Sequence, residues 1–135
     1  MPNQTTPDFI IIDDDPINNM ICRKYIGIIF PSADVKTFTD PLSGLRYIQS
    51  KYEDTATNKV CLFLDINMPV LNGWEVLDKF VELPGIVRDW FTIYMLSSSI
   101  AIKDKEMAAD HPHVEGYIEK PLTLARLNTI FPNSN

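Results

Sequence analysis

Four apolar segments of this chain each run into a residue able to do chemistry. Phe9-Ile10-Ile11-Ile12 leads into Asp13-Asp14-Asp15, and Leu62-Phe63-Leu64 leads into Asp65. Ile93-Tyr94-Met95-Leu96 leads into Ser97, and Gly116-Tyr117-Ile118-Glu119 leads into Lys120-Pro121. An apolar run that ends on a lone carboxylate, with turn residues directly after it, puts Asp65 at the carboxyl end of a buried strand. Open parallel α/β sheets place their ligands at such ends. If the acidic residues converge, their charges repel one another and favour protonation unless a cation enters. Mg²⁺ suits such a pocket: it takes hard oxygen ligands and a few carboxylates, and it keeps several waters. Mn²⁺ would be accepted as well. A carboxylate nucleophile, a cation and donors for the remaining negative charge are the parts that phosphoryl transfer onto an Asp requires.

Strand-like and helix-like patterns alternate around these residues. Phe9 to Asp13 reads as a buried strand and Pro16 to about Ile29 as a helix, with Ile17, Ile21, Tyr25 and Ile28 at helical spacing. Asp15-Pro16 is a start signal, with Asp as N-cap and Pro at the first helical position. Val35 to Phe38 is a short strand, Pro41 to about Tyr52 a second helix, and Glu53 to Lys59 a polar loop. Val60 to Asp65 is the central strand, and Trp74 to Leu83 is a third helix stopped by Pro84-Gly85. Phe91 to Leu96 is the fourth strand and Ile102 to Ala109 the fourth helix, ended near His111-Pro112. Val114 to Ile118 is the last strand and Leu122 to Phe131 the last helix. This alternation predicts a doubly wound parallel α/β sheet with right-handed crossovers.

At 135 residues the chain is expected to form a single domain, with its core over about residues 8–131, and it shows no repeat or linker. A formal charge of −6 argues against direct binding of nucleic acid, which calls for a basic patch. No signal peptide is visible, and no apolar run approaches the ~20 residues of a membrane span. The expectation is a cytoplasmic protein without membrane contact. Cys22 and Cys61 have neither metal-ligand spacing nor a disulfide framework. Cys61 reads as a small core residue.

The four strand ends in this order, together with Asp65-Ile66-Asn67-Met68-Pro69, resemble the receiver domain of two-component response regulators. The resemblance covers roughly Asp8 to Phe131 and implies the CheY-like, flavodoxin-like (βα)5 fold, a three-layer sandwich with strand order 2-1-3-4-5. It further implies that Asp65 accepts a phosphoryl group from a histidine kinase or a histidine phosphotransfer protein. Asp14, Asp65 and the main-chain carbonyl of Asn67 would bind the metal, and Asp13 would act partly through water. Which of the neighbouring Asp residues points inward is not legible in the sequence. For Asp15 the N-cap reading is preferred. Lys120 would meet a phosphate oxygen, and its bond to Pro121 is expected to be cis, which an X–Pro bond permits at ~0.5–1 kcal/mol. Ser97 would donate its hydroxyl to the phosphoryl group, Ser98 matches a position usually small, and Asn67 and Ser99 flank the site.

Ser97 and Tyr117 occupy the family's switch positions, so the output surface would comprise the fourth helix, last strand and last helix. Ile100, Ile102, Met107 and Leu127 are its candidate apolar contacts, some of which must instead be core. The same face would serve a homodimer or an unknown downstream protein. The kinase partner would dock near the first helix, where Asn18 and Asn19 fit the exposed side, and near the Pro121 loop. The resemblance implies self-catalysed phosphorylation and dephosphorylation rather than a conventional enzyme, and because few residues follow the last helix a stand-alone receiver is expected.

Each residue also has a plainer reading. Asp65 could cap the following turn, Lys120 could be a solvated charge, Ser97 could be a turn residue, and Tyr117 could be a half-buried strand residue. His111 and His113, which flank Pro112, read as solvated or capping. Two other functions compete. Asp13-x-Asp15 also matches the start of haloacid-dehalogenase-type phosphatases, but those need acidic ligands after the Lys, and no Asp or Glu follows Lys120. A receiver-like module that is never phosphorylated would usually lack one of the core residues, and this chain has them all.

Overall fold

The computed structural model describes residues 6–52, 58–98 and 101–132. Five strands carry the fold: β1 (Asp8–Ile12), β2 (Val35–Phe38), β3 (Val60–Asp65), β4 (Phe91–Ser97) and β5 (Val114–Glu119). Between and after them lie α1 (Pro16–Ile29), α2 (Pro41–Tyr52), α3 (Gly73–Phe80), α4 (Gly85–Arg88), α5 (Ile102–Asp110) and α6 (Leu124–Ile130). All strand pairs are parallel and the sheet order is β2-β1-β3-β4-β5. This is the flavodoxin-like α/β arrangement that the resemblance implied.

The strands read as continuous apolar runs because both faces of the sheet are covered. Alternate residues of β1 go to opposite sides: Phe9 and Ile11 pack with Cys22, Ile26 and Leu127 of α1 and α6. Ile10 and Ile12 pack with Ile48 of α2 and with Val76, Leu77 and Phe80 of α3. Every residue of β3 is buried, as befits the central strand. At about 1.5–3 kcal/mol for each large apolar side chain removed from water, these two layers are the main force holding the strand ends in place.

The helix starts follow local chemistry. Asp15 caps α1 by accepting from the Ile17 N–H, with Pro16 at the first helical position. Asn72 caps α3 in a reciprocal box: its side chain accepts from Glu75 N, and Glu75 accepts from Asn72 N. Thr123 caps α6 by accepting from Arg126 N, so that helix begins after Leu122 rather than at it.

Besides the later start of α6, three details differ from the sequence reading. The third helix ends at Phe80, not Leu83, and Pro84-Gly85 opens the four-residue helix α4 instead of only stopping α3. Pro lacks an N–H and has a fixed φ, so it suits a position ahead of a helix as well as one behind it. On α1 the stripe of Ile17, Ile21, Tyr25 and Ile28 is not the buried face: Ile17 and Ile28 are exposed, and the residues turned inward are Asn18, Asn19, Cys22 and Ile26. Asn18 and Asn19 are therefore buried, not on the exposed side of α1 as their polarity suggested. Glu53 to Ala56 and Thr57 of the polar loop, as well as Ser99 and Ile100, lie outside the described residues.

Candidate functional site

The sheet order sets β1, β3, β4 and β5 side by side, so their carboxyl ends form one edge. Register keeps the ends level: Asp65 pairs with Leu96, and Ser97 pairs with Glu119. Asp13, Asp65, Ser97 and Lys120 accordingly meet at that edge although far apart in the chain. The Lys120 N–H donates to the Ser97 carbonyl at 2.8 Å, which continues the ladder one residue beyond β5. The Lys120-Pro121 peptide bond is cis, as expected.

Lys120 Nζ lies 2.8 Å from Asp13 Oδ2 and 3.1 Å from Asp65 Oδ1. Asp13 and Asp65 are both buried, whereas Asp14 is exposed. The structure thus resolves what three consecutive Asp residues leave open. Asp13 is enclosed, Asp15 caps the helix, and Asp14 stands at the solvent side with its carboxylate still near the other two. One oxygen from each of Asp13, Asp14 and Asp65 falls within a mutual separation of 4.8 Å. Three hard anionic oxygens at that spacing fit a small divalent cation such as Mg²⁺, one side of which stays open to water.

Burial, and next the neighbouring charge of Asp13, push the Asp65 carboxyl from its usual 3.8 up to about 7, although Lys120 and the Asn67 N–H pull the other way. Burial works against the Lys120 ammonium, but its bonds and proximity to Asp13 and Asp65 outweigh this and raise its pKa. In both residues the field is that of an acidic pocket short of positive charge.

Of the remaining predicted residues, Asn67 and Ser97 lie within hydrogen-bond reach of the site. Asn67 is exposed; its N–H donates to Asp65 Oδ1 at 3.3 Å and its side-chain amide donates to Ser97 Oγ at 3.3 Å. Ser97 is fully buried and Ser98 is exposed. Tyr117 is half-buried on β5, with the Lys105 ammonium of α5 5.9 Å from its ring centroid and its carbonyl accepting from Arg126 Nη2. Ile102 and Met107 are exposed on α5, while Leu127 is core. His111 lies against Trp74 and His113 is exposed, and the acidic cluster of Asp13, Asp14 and Asp65 includes neither.

Sequence reasoning missed three residues. Asn18 donates to Asp13 Oδ2 at 2.6 Å, and Asn19 donates to the Asp13 carbonyl at 3.0 Å. Their signal was phase: Asn18 is four residues before Cys22 and eight before Ile26, the stripe that does face the sheet. Gly73 is the third: a Cβ there would lie 2.5 Å from the Asp65 carbonyl oxygen. No one-dimensional pattern announces that approach.

Comparison with known proteins agrees with this geometry. A family model described as the response regulator receiver domain matches residues 9–131. The chain belongs to the response regulator receiver domain family and is the CheY-like receiver of a two-component system. The receiver protein from Dyadobacter fermentans superimposes with a TM-score of 0.83 at 27% identity, covering 96% of this chain and 98% of that one. The two-component response regulator from Cytophaga hutchinsonii gives a TM-score of 0.85 at 26% identity, covering 97% and 98%. In sequence, the chain is 32% identical over 88 residues to Stress response regulator protein 1 of Meyerozyma guilliermondii, covering 65% of this chain and 38% of that protein. It is 27% identical over 123 residues to the transcriptional regulatory protein PrrA of Mycobacterium tuberculosis, covering 91% and 47%. The chain therefore spans less than half the length of these curated relatives. Among the described residues, no helix is long and apolar enough to cross a membrane.

Proposed function

We propose that this receiver takes a phosphoryl group onto Asp65 from the phosphohistidine of a histidine kinase or a phosphotransfer protein, in a Mg²⁺-dependent reaction, and signals by a change of shape. The observation that carries this reading is the position of Lys120, 3.1 Å from Asp65 and 2.8 Å from Asp13, beside three carboxylate oxygens within 4.8 Å of one another. A structural ion pair would not call for the third carboxylate, and a turn-capping Asp would not call for the Lys.

An Asp65 carboxylate oxygen attacks phosphorus as the phosphorus–nitrogen bond breaks. The electron pair of that bond stays with the departing imidazole, and Asp65 becomes an acyl phosphate. Asp14, Asp65 and the Asn67 carbonyl would hold the divalent cation, with Asp13 acting through water, and the bound ion would offset charge on the phosphoryl oxygens. Lys120 turns its ammonium to another of those oxygens, and Ser97 donates its hydroxyl to a third. The same side chains then serve attack by water on the acyl phosphate, so the protein catalyses its own phosphorylation and hydrolysis without turning over a separate substrate.

The new group carries about one and a half to two negative charges. Ser97 is drawn toward it, the segment after β4 follows, and Tyr117 changes rotamer. The face formed by α5, β5 and α6 thereby changes for a downstream protein or a second copy of this chain. Nothing in a charge of −6 favours nucleic acid as the direct partner.

Incubation with acetyl phosphate and Mg²⁺, read by intact mass, tests the acceptor. The wild type should gain one phosphate, and Asp65→Asn should gain none. Equal labelling of the two would reject Asp65. The switch is tested by NMR with and without a beryllofluoride mimic; an unchanged Tyr117 rotamer together with unchanged α5 shifts would remove it.

A further inference from the structure

Asn18 stands in the first turn of α1, yet it is buried and faces the sheet. A polar side chain buried against the sheet needs partners, because an unpaired buried amide is costly. Its partners are specific. The Nδ2 group donates to Asp13 Oδ2 at 2.6 Å and to Cys22 Sγ at 3.7 Å. The amide nitrogen thus touches its own helix at Cys22 and grips the Asp13 carboxylate.

Asp13 Oδ2 is a shared oxygen, since Lys120 Nζ approaches it at 2.8 Å. Asp13 Oδ1 accepts the Asp15 N–H at 2.9 Å, and the Asp13 carbonyl accepts from Asn19 at 3.0 Å. Of these donors, the ammonium is the one that the proposed chemistry requires to move, because Lys120 must turn toward a phosphoryl oxygen. When it leaves, Asp13 Oδ2 would lose its charge-assisted bond inside a buried pocket. The Asn18 amide is fixed to α1 and has no such second task.

Resting on the phosphoacceptor reading, we propose that Asn18 is a positioning residue for the acidic pocket: it holds Asp13 among the metal-binding carboxylates while Lys120 exchanges Asp13 for the phosphoryl group. A neutral donor fits this role. A second cation would compete with Mg²⁺ for the pocket, and an apolar residue would leave the carboxylate free to rotate. Asn18 touches no reacting atom, so its effect should appear in metal affinity and in its coupling to Lys120.

The test is calorimetric titration of Mg²⁺ into the folded chain without any phosphodonor, for wild type, Asn18→Leu and Asn18→Ala. Each substitution should weaken Mg²⁺ about tenfold. In a Lys120→Met background the same substitutions should weaken it by a larger factor, because the amide is then the remaining side-chain donor on the shared oxygen. A purely structural role would lower melting temperature and leave the Mg²⁺ dissociation constant within twofold of wild type, and that result overturns the inference. Wild-type NMR gives a second measurement that does not depend on the variants folding. The Asn18 side-chain amide protons should exchange slowly, and should shift on adding Mg²⁺ and again on adding beryllofluoride. Fast exchange and no shift would overturn the proposal. Unchanged Mg²⁺ affinity in Asn18 variants that still accept one phosphate defeats this inference alone. A wild type that takes neither Mg²⁺ nor phosphate defeats the functional reading and this inference with it.

Discussion

Gly73 sits so close to Asp65 that a Cβ on it would lie 2.5 Å from the Asp65 carbonyl oxygen. The Gly73 N–H also donates to the Ile66 carbonyl at 2.8 Å, which locks the start of α3 to the end of β3. The neighbours that a methyl group would meet are mostly backbone, so they cannot rotate away. Gly73→Ala should shift the strand end that carries the proposed phosphoacceptor. The expected cost is about 1–3 kcal/mol, typical of overpacking. Denaturant melts should show it, and the rate of labelling by acetyl phosphate should fall while Gly85→Ala, whose nearest contact would be 3.5 Å away, labels as wild type.

The Asp65 carboxyl is held at about 7 rather than 3.8, first by burial and then by Asp13. Between those pH values the folded chain binds a proton that the unfolded chain does not. Its contribution to stability is therefore full below about pH 4 and is lost as pH rises through about 7. Asp65→Asn removes that dependence. Without metal, the variant's melting temperature should exceed the wild type's by a margin that grows from pH 4 to pH 8. A margin independent of pH would contradict the assignment, and added Mg²⁺ should narrow it at pH 8.

Lys120 bridges two buried carboxylates, so Lys120→Met leaves both without their cation. Breaking one side of a buried pair costs about 3–5 kcal/mol. The metal-free variant should be destabilised at neutral pH, and Mg²⁺ should raise its melting temperature by more than it raises that of the wild type. An equal rise in the two proteins would mean that Lys120 and the cation do not share the same negative field.

Trp74 of α3 donates its indole N–H to Asp104 of α5 at 3.1 Å and stacks on His111 with its centroid 6.4 Å away. Burial, and then His113, hold the His111 pKa below its usual 6.5, with Asp78 opposing. The folded state thus disfavours the imidazolium, and stability from this group falls as pH drops below 6.5. Trp74 fluorescence should titrate with a midpoint under 6.5, and His111→Gln should abolish that transition. Trp74→Phe should cost about 0.5–1.5 kcal/mol through the lost hydrogen bond.

Both cysteines are buried, and burial raises the Cys61 thiol pKa and pushes that of Cys22 up to about 12, the latter helped by Asp13. A thiol is reactive as thiolate. Neither should react with a disulfide reagent at pH 8 in the folded protein, and both should react at once in denaturant. A fast-reacting native thiol would contradict the packing of α1 against the sheet.

The chain alone determined the alternation of strands and helices, the start of α1 and the residues at four strand ends. These are short-range properties: Asp15-Pro16 caps α1 through a contact two residues long, and the β3 run is apolar because both its faces are covered. Resemblance to the receiver family added the strand order. The tertiary structure decided matters that depend on distance through space. Apolar residues lie on two stripes of α1, so composition could not tell that Asn18 and Cys22 face inward while Ile17 and Ile28 face water. Packing against Phe9, Ile11 and Phe63 fixes that rotation. Which Asp is enclosed, which oxygen Lys120 shares with Asn18, and why position 73 must lack a side chain are likewise settled by neighbours dozens of residues away or by a backbone approach. Local sequence carries no record of either, because contact there is made by folding and not by adjacency.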